Sequence, residues 1–260
     1  MGKIIAFSNQ KGGVGKTTTC VNMSAYLAHK GYKCRIVDLD AQGNATSGLG
    51  FAKSEVKNSV YNVMIDDMPI EQAVLKTDVE GLDILPSNID LAGAEVELVY
   101  VKEREKVLRR VLESAKDSYD FITIDCPPSL GLLTINALAA SDTVMIPIQS
   151  EYYALEGLSQ LMNTIKLVVK HLNPSLKIEG VVLTMNDNRA IISRQISQEI
   201  RKYFGKRVFD TVIPRNIRLA EAPSHGKPIM LHDFKCSGAK AYLALTEEYL
   251  ERQPTKKTKE

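Results

Sequence analysis

Between residues 9 and 19 the chain reads Asn9-Gln10-Lys11-Gly12-Gly13-Val14-Gly15-Lys16-Thr17-Thr18-Thr19. A loop that grips a polyphosphate needs glycines that let backbone N–H groups turn inward, a lysine for the terminal oxygens and a hydroxyl for magnesium. Gly12, Gly13, Gly15, Lys16 and Thr17 supply all three, and the backbone of Val14 and Thr18 completes the expected nucleotide contacts. The usual spacing G-x-x-x-x-G-K-[ST] places glycine at position 10, where Gln10 stands, so a strict pattern search misses this loop. The flanks restore the reading. Residues 3–8 form a short apolar run of strand type, and residues 16–30 carry apolar side chains at helical spacing. In that arrangement the helix N-terminus, with its free N–H groups and positive dipole end, faces the phosphates.

Two further segments carry carboxylates. Asp38 and Asp40 close the second apolar run, and because a strand alternates its faces they are expected on one side, near the loop. Residues 121–125, Phe-Ile-Thr-Ile-Asp, form an apolar strand ending in an acid, a Walker B pattern. Asp125 would then hold a magnesium-bound water while Thr17 ligates the metal directly. The competing reading is that each acid merely caps its strand.

The elements that must position these groups alternate along the chain. Strand-like runs fall at 3–8, 34–38, 82–86, 121–125, 143–148, 178–185 and 208–213, with helical patterns at 104–116, 130–140, 154–171, 191–204 and 238–250. Such alternation predicts an α/β fold in three layers, a mainly parallel twisted sheet with helices on both faces. Ligands in such sheets bind beyond the C-terminal strand ends, where every candidate residue lies. No boundary divides the chain, so residues 1–252 are expected as one domain and 253–260 as a flexible polar tail.

Composition excludes other classes. With 44% hydrophobic and 25% charged residues, the 260-residue chain reads as a globular protein with a sizeable core. No apolar run approaches the ~20 residues of a membrane helix, and the first residues lack the shape of a signal peptide, so a cytoplasmic location without a membrane partner is expected. Cys20, Cys34, Cys126 and Cys236 form no C-x-x-C pair, and the four histidines show no metal-ligand spacing. The net charge of +2 hides an asymmetry: residues 189–240 hold eleven basic against four acidic side chains, a net +7, leaving −5 on the rest. A charge run of this kind is commonly a solvated face.

Lys11 departs from an ordinary phosphate loop. With it, the loop resembles the deviant Walker A motif, xKGGxxK[ST], of the ParA/Soj/MinD family of ATPases. The resemblance extends to residues 38–46 (Asp-Leu-Asp-Ala-Gln-Gly-Asn-Ala-Thr), similar to the family's first switch, and to residues 125–131, similar to its second. Residues 151–158 and 212–228 are similar to segments of the chromosomal Soj branch. The resemblance implies a P-loop NTPase fold, ATP and Mg2+ as cofactors, a homodimer in which Lys11 reaches the partner subunit's nucleotide, and a water-positioning role for Asp40. Lys11 as a plain surface lysine is the alternative. The resemblance also places the adenine near Asn186, Pro214 and Asn216, and implies non-specific binding of double-stranded DNA through the basic third, with Arg189, Arg215, Arg218 and Lys227 as contacts. Its further implications are a ParB/Spo0J-type centromere-binding partner that triggers slow hydrolysis, and a nucleoid-associated location. No helix-turn-helix precedes the loop, so sequence-specific operator binding is not expected. A membrane-associated MinD-type regulator would need an amphipathic C-terminal helix, and the tail after Leu250 has no apolar face. An iron–sulfur reductase on the same loop would need cysteines shared between subunits, and Cys126 is the single cysteine beside the carboxylates.

Overall fold

Side chains on the strands alternate between two apolar cores, and that alternation builds the molecule. In the computed structural model, which describes residues 2–151, 154–186 and 190–253 (backbone alone at 154–156), the first strand is β1, Lys3–Phe7. Its Ile4 and Ala6 enter one core and its Ile5 and Phe7 the other. The remaining strands are β2 (Cys34–Asp38), β3 (Leu75–Lys76), β4 (Leu82–Leu85), β5 (Phe121–Asp125), β6 (Thr143–Gln149) and β7 (Lys177–Thr184). They form one sheet in the order β3-β4-β2-β5-β1-β6-β7, parallel throughout except for the β3–β4 pair. Strands buried on both faces read as near-continuous apolar runs, which is why their sequence pattern is strong.

Helices cover both faces. On one side lie α1 (Lys16–His29), α2 (Asn44–Gly48), α9 (Ile217–Glu221), α10 (Ile229–His232) and α11 (Ser237–Glu251). The other side carries α3 (Val60–Ile65), α4 (Leu91–Glu97), α5 (Val107–Glu113), α6 (Leu132–Ala140), α7 (Ala154–His171) and α8 (Ile191–Phe204). Each parallel strand therefore ends at one edge, and the loops after β1, β2, β5 and β7 gather there.

The structure departs from the expected elements in three places. Residues 208–213 run beside β7 but join it only through isolated bridges at Val208 and Pro214. Between them the amides of Asp210 and Thr211 donate to the Glu248 carboxylate, both at 2.8 Å, which removes them from any ladder. Second, Gln253, assigned to the tail, is held instead: its amide nitrogen donates to Glu179 at 2.9 Å and its oxygen accepts from Lys3 at 2.7 Å. Third, α2, α3, α4, α9 and α10 carry too few turns to show a period in sequence, and tertiary contacts make them.

Candidate functional site

The glycine loop follows β1 and is tied down at both ends. Asn9 donates from its amide to the Pro147 carbonyl at 2.8 Å and accepts from the Lys11 amide at 3.0 Å. At the far end the Thr184 hydroxyl donates to the Val14 carbonyl at 2.8 Å. Between these anchors Gly13 and Gly15 take φ of +73° and +82°, a left-handed backbone that side chains disfavour, and Gly15 is the residue from which α1 begins. The loop borders a cavity of about 780 Å3, lined on this side by Gly12, Gly13, Gly15, Lys16, Thr17 and Thr18. Val14 is buried and contributes only backbone to the loop.

The charges below the loop are set by burial. Lys16 is 6% exposed, and its ammonium donates to the Lys11 carbonyl at 3.1 Å. Desolvation lowers its pKa, against the pull of Asp125, Cys126 and Asp40. Asp38 and Asp125 are register neighbours on β2 and β5, both fully buried. Burial pushes Asp38 up to about 6, although hydrogen bonds from the Thr46 hydroxyl (2.7 Å) and amide (2.8 Å) work the other way. Burial, then Asp38, raise Asp125 well above the carboxylate range, with Thr17 and Lys16 opposing. Neither Asp125 oxygen finds a donor at full hydrogen-bonding geometry. A buried, orphaned carboxylate beside a threonine hydroxyl at a helix start suits a hard divalent cation with its water shell, so these residues fit magnesium.

Asp38 and Asp40 thus differ in their surroundings. Asp38 is spent on pinning α2, whereas Asp40 lies past the strand end and lines the cavity. The Asp40 carboxylate also accepts from the Gln42 amide at 3.0 Å, which fixes the turn it sits on.

Lys11 does not join its own cavity. Its ammonium reaches out to Glu151, 2.7 Å away, in a pair whose side chains are 34% and 48% exposed. Gln149 holds the other Glu151 oxygen at 2.5 Å.

At the opposite end of the cavity the residues expected for the base are only partly assembled. Pro214 and Asn216 line the wall, but Asn186 does not. The Asn186 amide oxygen accepts from Ser193 of α8 at 3.0 Å. Asn216 caps α9, accepting from the Arg218 and Leu219 amides at 2.9 and 3.4 Å, and donates to Ser237 at 2.8 Å. Of the four candidate DNA contacts, Arg215 and Lys227 are exposed and also line the cavity. Arg218 is paired with Glu221 at 2.8 Å and Asp233 at 3.7 Å. Arg189 lies outside the described residues.

A family model described as an AAA domain matches residues 2–178. The sporulation initiation inhibitor protein Soj of Bacillus subtilis (strain 168) is 60% identical over 248 residues, 95% of this chain and 98% of its own length. The chromosome partitioning protein ParA of Myxococcus xanthus (strain DK1622) is 53% identical over 98% of this chain and 90% of its length. This chain belongs to the Soj/ParA family of chromosome-partitioning ATPases. Among solved structures, cobyrinic acid a,c-diamide synthase from Mycobacterium smegmatis with bound ADP and magnesium superposes with a TM-score of 0.85 at 37% identity, covering 96% of this chain and 95% of that one. The three-layer P-loop NTPase architecture is therefore shared well beyond partitioning proteins.

Features of this Soj/ParA chain that local sequence reading missed are those made by distant partners. Asn22 of α1 donates to Thr18 at 2.8 Å and accepts from the Ile229 amide at 2.7 Å, joining the loop helix to the far cavity wall. Glu151 stood inside a matched segment without a role until its contact with Lys11 was visible. Cys126 is 1% exposed and burial raises its thiol pKa, so it packs in the core beneath the Soj/ParA site rather than presenting a thiolate to a cluster. No helix among the described residues is long and apolar enough to cross a membrane.

Proposed function

We propose that the protein is an ATP-driven DNA-partitioning ATPase that works as a nucleotide-sandwich dimer. ATP binding brings two copies face to face, the dimer holds double-stranded DNA through phosphate contacts without reading sequence, and a ParB/Spo0J-type partner triggers hydrolysis to ADP and phosphate, releasing the DNA. The observation that carries this reading is the direction of Lys11. It is a loop lysine whose ammonium is turned away from its own phosphate cavity and stands partly exposed at the surface, held by an exposed carboxylate.

The division of labour follows from charge. Lys16 neutralises the terminal phosphates from within, and Lys11 does so from the facing copy. Asp40, on its fixed turn at the cavity wall, orients the attacking water. Thr17 would ligate the magnesium and Asp125 would hold it through a water. When bound, the ion supplies charge neutralisation at the phosphate oxygens. Phosphoryl transfer to water depends on positioning and on neutralising charge more than on a strong base. A single protomer lacks the second lysine, so turnover is slow until two copies meet.

Residues 189–240, with a net +7, supply the DNA surface, including Arg189, Arg215, Arg218 and Lys227. With about three phosphate contacts per subunit, dimerisation takes the salt slope of binding from about −2.7 to about −5.4. The test is DNA retention by the hydrolysis-deficient Asp40→Ala protein across a salt series with ATP and with ADP. A steeper slope with ATP supports the reading, and equal slopes refute it. No observation favours a membrane-bound regulator, since the apolar stripe of α11 (Ala239, Tyr242, Leu245 and Tyr249) is already buried.

A further inference from the structure

Helix α4 buries one side and leaves the other bare. Leu91 and Ala94 of the helix and Leu98 of the 3-10 turn that continues it (Leu98–Tyr100) enter the core, while Val96 of the helix and Val99 and Tyr100 of the turn project outward on the other side, with Ile89 just before the helix. Ile89 is 69% and Tyr100 88% exposed. Single exposed apolar residues are ordinary, but four along one ridge mark a contact surface.

The ridge lies in the most acidic part of the chain. Residues 58–101 contain nine acidic side chains and one basic one, a net −8. That one base, Lys76, is already paired with Asp83 at 2.8 Å. Asp90, Glu95 and Glu97 flank the apolar side chains within the ridge itself, and Tyr61 donates to Glu97 at 3.0 Å. Beyond Val101 the charges alternate and pair internally, Lys106 with Glu103 at 2.8 Å and Arg104 with Glu105 at 3.2 Å, leaving Lys102 at that end. An apolar strip bordered by unneutralised carboxylates suits a segment with the opposite pattern, apolar on one face and basic beside it.

The ridge also adjoins the catalytic edge. A Cβ at Gly131, in the loop that leaves Asp125, would overlap the Glu95 carboxylate. Immediately after the ridge the chain is bolted to α6, which follows the same loop: Asn136 donates to the Arg104 carbonyl at 2.8 Å and accepts from the Leu108 amide at 3.1 Å. Pressure on α4 therefore bears on residues 126–131.

We propose that the ridge from Ile89 to Tyr100 is the docking surface for a basic, apolar-faced segment of the partner that triggers hydrolysis. The inference rests on the partner-triggered ATPase proposed above and names its surface. Docking there would displace Glu95 against Gly131 and reset the loop carrying Asp125, which links occupancy of an exposed ridge to the hydrolytic site.

The test uses the full chain, without DNA, and a fluorescent 14-residue amphipathic peptide of leucine and lysine, with a leucine–glutamate peptide as control. Binding is read by anisotropy and ATP hydrolysis by phosphate release. The lysine peptide is expected to bind, more weakly as salt rises, and to stimulate hydrolysis. Glu95→Lys with Glu97→Lys should weaken it roughly tenfold and Tyr100→Ser several-fold, as for the charged and aromatic anchors of other interfaces. Basal hydrolysis and melting temperature should match the parent in Tyr100→Ser, and Val96→Ser provides a second apolar truncation should that variant fold poorly. Unchanged peptide affinity in these variants, equal binding of the glutamate peptide, binding without stimulation, or loss of ATP-dependent dimer mass in the charge-reversed protein would overturn the proposal, the last by assigning the ridge to a second copy. Dimer mass of the parent measured in parallel separates this failure from failure of the dimer reading.

Discussion

Replacing Glu151 with alanine removes the carboxylate that holds the Lys11 ammonium 2.7 Å away in the isolated protomer. If Lys11 works across a dimer, each protomer must first break this pair, so the contact opposes assembly. With side chains 34% and 48% exposed, the pair is worth about 0.2–1 kcal/mol. A dimer releases two such pairs, about 0.4–2 kcal/mol together, which converts to a dimer affinity roughly 2- to 30-fold tighter for Glu151→Ala. Glu151→Gln, which keeps the shape and loses the charge, should move in the same direction. Sedimentation of the Asp40→Ala protein with ATP, with and without the Glu151 change, measures the shift directly. The gain should shrink between 50 and 500 mM salt, because an exposed pair is screened. A dimer of unchanged or weaker affinity would refute the view that Glu151 holds Lys11 in a competing resting position.

Gly15→Ala places a side chain at a φ of +82°, while its methyl would meet Thr184 only at an ordinary 3.6 Å. Strain alone then costs about 1–2 kcal/mol, lowering the melting temperature by roughly 2–6 °C in calorimetry; an unchanged melt would mean the loop relaxes out of the left-handed region. Lys16→Met should weaken ADP binding about 10- to 150-fold by titration calorimetry, the loss of a charge-assisted hydrogen bond, and a change below threefold would remove Lys16 from the phosphate site. Because Asp38 is pushed up to about 6 by burial, the folded ligand-free protein keeps a proton that the unfolded chain sheds near pH 4. The contribution of Asp38 to stability therefore falls as pH rises from about 4 to 6 and is constant above, on top of the decline that buried Asp125 adds, and Asp38→Asn should make the melting profile shallower over that window; parallel profiles for the two proteins would contradict the assignment.

Much of this was legible in the chain because the informative signals are local. The runs at β1, β2, β5 and β6 are apolar on both faces, and α1, α7, α8 and α11 are long enough to show a helical period, so the layers and the strand ends could be placed. The loop survived the Gln10 departure because glycines 13 and 15 do the conformational work. What escaped depends on partners far away in sequence. Nothing near Asp38 announces that Thr46 will claim its carboxylate, or near residues 208–213 that Glu248 will take two of their amides. Nor did the sequence show that Asn216 caps α9 or that Asn186 accepts from Ser193, two of the residues expected around the base. The net +7 of residues 189–240 did not reveal that Arg218 is already paired twice. Counting charges finds an electrostatic region but not which of its members are free.

The most direct test of the account is the solution mass of Asp40→Ala protein, alone and combined with Lys11→Ala, with ATP and with ADP. The account predicts a dimer for Asp40→Ala with ATP, a monomer with ADP, and a monomer under both conditions once Lys11 is lost. An ATP-loaded monomer of the single variant, or a full-strength dimer of the variant lacking Lys11, would contradict it.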